Sequence, residues 1–370
     1  MNDQFITVNN GIILPITESK GGVLNKGGVL RDDGKFVEES KYIGDWFRFG
    51  APYPFDRSGV HHADLKVIFL GYFVKQWGHF LVDCLNRAWF LCEIDKAKYK
   101  DYKIVFLNSD NILPSGNYLK FFELLGFSKR DFVLVDSPTC FKEIVIPTPA
   151  NPETSKNLFV EPFKKASSAV VSDKYHGDNI YLSRLHFPDA RKKELGEHPI
   201  QRLFEDNGFK ILYPESMSLD DQIDVFNNAT TIVCMNGTIP LNVIFGNPGI
   251  NLIVLNKTSL RHSNLEKVCR LIDISPIYIN VYYEPIKNHP RYLGEGPFWM
   301  IPGDELREYF DSHEMSFDYS HNLLIDCAYF CRYFYLYIKY RAIALLKKLY
   351  IKSHLVRGMY HLLKSRKSPN

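Results

Sequence analysis

Arg184, Glu215 and the turn Asn236-Gly237-Thr238 each lie just past the end of a short apolar run, within a stretch of fewer than eighty residues. Arginine grips a diphosphate through forked, charge-assisted hydrogen bonds, which makes Arg184 a candidate anion ligand. Arg191 lies seven residues on, in the charged run DARKKE, where a solvated surface role competes with the same function. The turn precedes Pro240, a residue accepted without loss at the start of a helix. The N–H groups of Gly237 and Thr238 are therefore expected to face a phosphate, with Asn242 one turn further in either touching the donor or supporting the residues that do. Glu215 either accepts ribose hydroxyls or supplies acidic charge to the helix that begins near Ser218, where Gln222 caps or packs.

A second set is spaced for proton transfer. His79, Asp83 and Arg87 recur at four-residue steps, so they share one face of the helix expected over Gln76–Ile94. His79 is the expected base with Asp83 orienting it, or Asp83 is itself the base, and Arg87 extends the face toward an acceptor. An exposed polar stripe is the plainer alternative. His61-His62 is a rival pair, but neighbours in a strand point to opposite sides, so loop histidines are expected there. No cluster has zinc spacing, and Asp220-Asp221 opens a helix rather than forming a DxD metal motif. Neither a metal nor a cofactor is expected.

The positioning elements follow from periodicity. Apolar runs at Asn179–Leu182, Lys210–Tyr213, Thr231–Met235 and Asn251–Leu255 alternate with helical patterns, which predicts parallel βαβ units. The loops of such a sheet meet at one edge, where phosphorylated ligands such as nucleotide-sugars bind. Upstream, short strands and turns are expected over residues 1–60. Strands are expected at Val67–Phe73, Lys103–Leu107, Phe132–Val135 and Glu143–Ile146, and a helix at Asn117–Gly126. PTPANPETS at 147–155 reads as a linker, followed by a helix from Glu161 to about Asp173. The expected division is an N-terminal α/β domain (1–150), a nucleotide-sugar domain (151–290), a connecting segment (291–320) and a tail (321–370).

Several pieces, in this order, resemble glycosyltransferase family 61: WGHFLVDCLNRAW at 77–89, YLSR at 181–184, the second arginine at 191, GFKILYPESMSLDDQIDVFNNATTIV at 208–233, and NVIFGNPGINLIVLN at 242–256. The resemblance points to a member of the bacterial capsule or lipopolysaccharide type. It implies an α/β chain with a GT-B-like pair of Rossmann-like domains. It also implies an inverting, metal-independent hexosyl or pentosyl transfer, with a UDP-sugar as the usual donor. Two departures stand out. Many members carry His-Gly-Ala where this chain has Asn236-Gly237-Thr238, and a common Asn-Glu is here Gly196-Glu197. The first removes an imidazole from the donor loop, so no catalytic role for a histidine at that position carries over.

Composition bounds the partners. The 370 residues are 45% hydrophobic and 14% aromatic, ample for a buried core. Seven cysteines form no CxxC pair, as suits buried thiols in a reducing compartment. MNDQFITVNNGIILP has no basic region followed by an apolar one, so a cleaved signal is not expected and a cytosol-facing protein is. Charge divides unevenly: residues 321–370 hold ten Lys or Arg and one acid, against 35 basic and 41 acidic residues elsewhere. Cys331, Tyr335, Ile338, Ala342, Leu345, Leu349, Val356 and Tyr360 form one apolar stripe. Arg332, Lys339 and Arg357 flank it on one side, and Arg341, Lys348 and Lys352 on the other. A basic amphipathic tail of this kind lies on an anionic membrane, at the inner face, or packs on the body. No nucleic-acid motif accompanies it. The expected partners are a nucleotide-sugar and a cell-surface or lipid-linked glycan acceptor. The alternatives are a pyruvyl or other small-group transferase on a similar frame, and a non-catalytic glycan-binding scaffold.

Overall fold

Continuous apolar runs pair into two five-stranded sheets. The computed structural model describes residues 4–17, 25–44, 48–94, 97–320 and 322–352. The first sheet contains β1 (Phe5–Thr17), β2 (Lys26–Leu30), β3 (His61–Tyr72), β4 (Tyr102–Leu107) and β5 (Thr139–Pro147), in the order β2-β1-β5-β3-β4. β1 runs antiparallel to β2 and β5, whereas β3 is parallel to β5 and β4. The expected short strands near the N-terminus are instead dominated by one strand of 13 residues. His61-His62 opens β3 rather than lying in a loop. Phe132–Val135 is not a strand, since only Phe132 forms a bridge, to Ile104.

The second sheet contains β6 (Asn179–Leu182), β7 (Lys210–Leu212), β8 (Thr231–Met235), β9 (Asn251–Asn256) and β10 (Ile277–Asn280). All its pairings are parallel, in the order β7-β6-β8-β9-β10. β8 is buried along its whole length, and so is the middle of β9, which explains why their sequences are unbroken apolar runs rather than alternating ones. The chain moves outward from β6 to β7, then returns past β6 to β8 and on to β10. That reversal puts the topological switch point between β6 and β8. In open α/β sheets the crevice outside those strand ends is where ligands bind.

One apolar cluster joins the layers of both sheets, from Ile68 and Leu70 of β3 through Phe121, Phe163 and Phe245 to Ile232 and Leu252. Phe163 packs against Phe121 and Phe245 with ring centroids 5.7 and 5.6 Å away. Each fully buried ring contributes about 1.5–3 kcal/mol, so the halves are held by more than the segment 147–155.

The expected helix over Gln76–Ile94 is broken into an α turn at Trp77–His79, a π turn at Phe80–Cys84, a 3₁₀ turn at Leu85–Arg87 and a final α stretch at Trp89–Glu93. Gln76 caps its start, accepting the His79 N–H at 2.7 Å. Within the π turn His79 and Asp83 still meet, but the change of winding turns Arg87 inward. The expectation that Arg87 faces an acceptor is therefore corrected. It is 1% exposed, and its guanidinium donates to the carbonyls of Pro147 (2.9 Å), Glu39 (2.8 Å) and Lys41 (2.9 Å). Gly71 leaves room for it, with φ of +96° and a position where a Cβ would stand 2.7 Å from Arg87 Nη1. Arg87 thus ties β5 and the 39–41 loop to the broken helix.

Arg87→Leu would leave three carbonyls, that of Pro147 buried, without their donor. The expected loss is about 3–5 kcal/mol of unfolding free energy, of the size seen when a buried charged group loses its partners. Urea denaturation measures it, and a loss below about 1 kcal/mol would show that the carbonyls find other donors.

Candidate functional site

Residues of the broken helix reach across to the switch point. Trp77 Nε1 donates to Asn242 Oδ1 at 2.6 Å, and Gln76 Nε2 donates to Thr238 Oγ1 at 3.3 Å. Gly78 lies between them, where a Cβ would be 3.0 Å from Leu241 and 3.4 Å from Thr238, so the close approach is fitted to a glycine. The Asn242 amide then donates to Gln222 Oε1 (2.9 Å), and Gln222 Nε2 donates to the Pro214 carbonyl (3.1 Å). This relay runs from the first sheet's helix to the loop that carries Glu215. Asn242 is 3% exposed and bonded at both ends of its amide. Of its two expected places, these bonds fit the supporting one.

His79 and Asp83 are brought together. His79 Nδ1 and Asp83 Oδ2 are 2.7 Å apart, and Tyr42 donates its hydroxyl to Asp83 Oδ1. A donating Nδ1–H fixes the tautomer in which Nε2 carries the lone pair. Beside Asp83 opens a cleft of about 360 Å³, lined among others by Tyr42, Asn86, Ala150, Asn264 and Lys267. Asn86 is 7% exposed, and its Oδ1 has no hydrogen-bond partner among the described residues. The cleft therefore opens on the Asp83 side of the pair, with the unpartnered Asn86 oxygen buried in its wall.

The turn after β8 differs from expectation in its helix. Ile239–Phe245 is a 3₁₀ segment of seven residues, not an α-helix, so its dipole is short. Gly237 has φ of +153°, and a Cβ there would meet nothing within 4 Å, leaving open space at the turn. Asn236 is fully buried. Its amide donates to Asn256 Oδ1 (3.1 Å) and to the Leu260 carbonyl (3.4 Å), while its Oδ1 lacks a partner among the described residues. Asn256 donates in turn to Asn280 Oδ1 at 3.0 Å, and Asn280 to Glu305 at 2.7 Å. A row of asparagines thus crosses the C-terminal edge of β8, β9 and β10.

That row fixes the loop ending in His262, a residue sequence reasoning passed over. His262 Nδ1 accepts the Leu265 N–H (3.2 Å) at the start of the helix Ser263–Leu271, so the neutral ring carries its proton on Nε2. Burial lowers its pKa, and His79 and Lys257 lower it further, so the two histidines lie within electrostatic reach of each other. The available signal was an Arg-His-Ser step just ahead of a helical pattern, which periodicity alone does not distinguish from a capping residue.

Arg184, expected to meet a ligand, is enclosed instead. Its Nε and Nη2 donate to the two oxygens of Glu194 at 2.9 and 3.1 Å, and Lys257 Nζ donates to Glu194 at 2.6 Å. Burial would raise the Glu194 carboxyl, but Lys257 and Arg184 outweigh it and hold the group down at about 2. Glu197 accepts the Arg184 N–H at 2.8 Å and the Tyr181 hydroxyl at 3.3 Å. Burial, with Glu194 adding, raises Glu197 to about 7 against that backbone bond. With Glu197 protonated the group holds two cations and one anion, an excess that favours an anion nearby. Gly196, which precedes Glu197, needs its φ of +87°, and a Cβ there would lie 1.9 Å from the Met300 carbonyl. Glu215 is exposed in a 3₁₀ turn and near enough to raise the Arg184 pKa. The helix start after Ser218 takes its charge from Asp220 and Asp221 instead. Arg191 is exposed on the short helix Pro188–Lys193, with its carbonyl toward Arg332 of the C-terminal helix at 3.5 Å. The structure joins it to none of the other candidates. Among the described residues no three His, Cys, Asp or Glu side chains group to hold a metal ion.

Residues 77–253 match the family model described as Glycosyltransferase 61, which supports a glycosyltransferase. The match begins at Trp77 and ends in β9, so it spans both the His79–Asp83 pair and the switch point. No curated protein matches the chain.

Glu197 titrates near pH 7 in the folded chain but near its ordinary 4.5 when unfolded, so the native state binds the proton more tightly. This contribution to stability is full below about pH 4.5 and is lost as pH rises to about 7. Glu197→Gln keeps an acceptor oxygen and removes the titration. It should match the native chain at low pH and exceed it at pH 8 by about 2–3 kcal/mol. Paired thermal-unfolding curves from pH 4 to 8 measure the difference, and parallel curves would contradict it.

Proposed function

We propose that this chain is an inverting glycosyltransferase that needs no metal and moves a sugar from a nucleotide-sugar, UDP-linked, to a hydroxyl of a surface polysaccharide or lipid-linked glycan. The observation that carries this reading is the His79–Asp83 pair held over the β6/β8 switch point by the Trp77–Asn242 and Gln76–Thr238 hydrogen bonds. In this reading residues 1–150 supply the acceptor side and residues 151–290 the donor side.

The donor's diphosphate lies at the turn Asn236-Gly237-Thr238, facing the Nε2–H of His262. A neutral imidazole donor there stabilises the negative charge that develops on the leaving phosphate without needing to lose a proton. Arg184 and Lys257 act from behind the crevice: bonded to Glu194, they hold positive potential at the strand edge rather than touching the phosphates. Glu215, exposed at the end of β7, accepts ribose hydroxyls. The acceptor enters the cleft beside Asp83. As the acceptor oxygen attacks the anomeric carbon, His79 Nε2 takes its proton, and Asp83 stabilises the imidazolium through Nδ1–H. Tyr42 keeps Asp83 in that orientation. The new glycosidic bond forms as the bond to the diphosphate breaks on the opposite face.

The test pairs nucleotide titration of the full chain with transfer of label from UDP-sugars to extracted surface glycans. The native chain should bind UDP in preference to GDP and CMP. His79→Gln should leave that affinity within about twofold and lower transfer by about 10²–10⁴. Absence of nucleotide binding, or transfer undiminished in His79→Gln, would contradict the reading. His262→Asn keeps a helix-capping oxygen and removes the Nε2–H. It should melt with the native chain yet bind UDP about tenfold or more weakly, the loss of one hydrogen bond to a charged group. Unchanged affinity would remove His262 from the site.

A further inference from the structure

The helix Leu323–Lys352 has two apolar faces, and the body of the protein covers one of them. Tyr333 and Leu336 are buried against Leu195 and Trp299, with Tyr329 and Tyr340 packed beside them. These positions recur at three- and four-residue steps and so form one narrow stripe. Leu195 and Trp299 belong to the short parallel pair Glu194–Leu195 and Phe298–Trp299, which links the helix to the ladder that carries Glu194.

The opposite face is bare. Leu324, Tyr335, Ile338, Leu345 and Leu349 are 82, 62, 64, 58 and 42% exposed. At 3.6 residues per turn they fall, with Leu323 and Phe330, within about 140° of the circumference, turned away from Tyr333 and Leu336. Arg341 and Lys348 border this stripe on one edge, and Arg332 and Lys339 on the other; all four are exposed. Beyond Asp326 the helix carries no acid. Of the stripe foreseen from periodicity, Cys331, Tyr335, Ile338, Ala342, Leu345 and Leu349 are exposed, Val356 and Tyr360 lie outside the described residues, and the body is held through other residues. Uncovered apolar patches of this size mark an interaction surface.

We propose that this face lies flat on an anionic lipid bilayer. The arrangement of charge selects that occupant: cations on both edges of an apolar stripe place their long stems along the acyl boundary and their charges at the headgroups. A second copy of the chain would instead set one set of cations against another across an antiparallel pair. The helix lies on the bilayer and does not cross it, since no described helix is long and apolar enough to span one. Because the same helix grips the ladder beside Arg184, the membrane-bound chain holds its switch-point crevice at a fixed attitude to the lipid surface.

The experiment is co-sedimentation of the full chain with vesicles of phosphatidylcholine alone and of an equimolar mixture with phosphatidylglycerol, beside light scattering without lipid. The native chain should pellet with the anionic vesicles, pellet poorly with the neutral ones, and release as salt rises. Lys339→Gln and Arg341→Gln should each lower partitioning roughly fivefold, as expected for one cation at an anionic surface. Ile338→Glu with Leu345→Glu should abolish pelleting with no change in melting temperature, because both side chains face solvent. Four results would overturn the proposal: no pelleting, equal pelleting with both lipids, full pelleting of the glutamate variant, or a stable dimer that the glutamates dissolve. The last would identify the occupant as a second copy.

Discussion

The hydrogen bond from Trp77 to Asn242 is the constraint on which the candidate site depends. It is one of the few polar links between the helix of the first sheet and the loops of the second, and both partners are largely shielded from water. Shielding makes it costly to break, because an orphaned buried amide oxygen retains its full desolvation penalty. Asn242 passes the restraint to Gln222 and so to the loop of Glu215. Gly78 lets the two halves approach closely enough for the bond to form. Without this contact His79 and Asp83 would still pair, but the longer Gln76–Thr238 bond would be left to hold them above the ends of β6 and β8.

Around that link the structure separates charge from contact. Arg184, Glu194 and Lys257 are largely buried and bonded to one another, so in the proposed reading they act on a ligand through potential. A buried ion group is weak support for stability, because desolvation offsets most of its attraction. Its value here lies in fixing cations beside the strand edge where a diphosphate would lie. In the proposed reading direct donation falls to the backbone at Gly237 and the imidazole of His262. Many relatives in the resembled family carry a histidine in the position of Asn236. In this chain the Asn236 side chain instead fastens the loop that ends in His262.

Much of this arrangement was legible in the residues, for physical reasons that differ by element. The parallel strands β6, β8 and β9 were readable because strands buried on both faces are continuous apolar runs, and their strand ends located the crevice. The His79–Asp83 pair was readable because a four-residue step survives a π turn. Arg87 was not, since the π and 3₁₀ turns that redirect it depend on packing and carry no periodic signal. Arg184 showed its position but not its partners: Glu194 lies ten residues on, and Lys257 lies beyond β7, β8 and β9 in the chain. The exposed stripe of the last helix was visible, whereas the tyrosine face that docks it became apparent only against Trp299.

The most direct measurement of the central claim is the imidazole resonances of His79 and His262, in histidine-labelled full-length chain titrated with UDP. If the nucleotide lies between the two halves, both resonances shift along one saturable curve, and substituting Trp77 with phenylalanine weakens that curve. If UDP saturates the protein by calorimetry while both resonances stay where they were, the nucleotide binds elsewhere and the switch point is not the donor site.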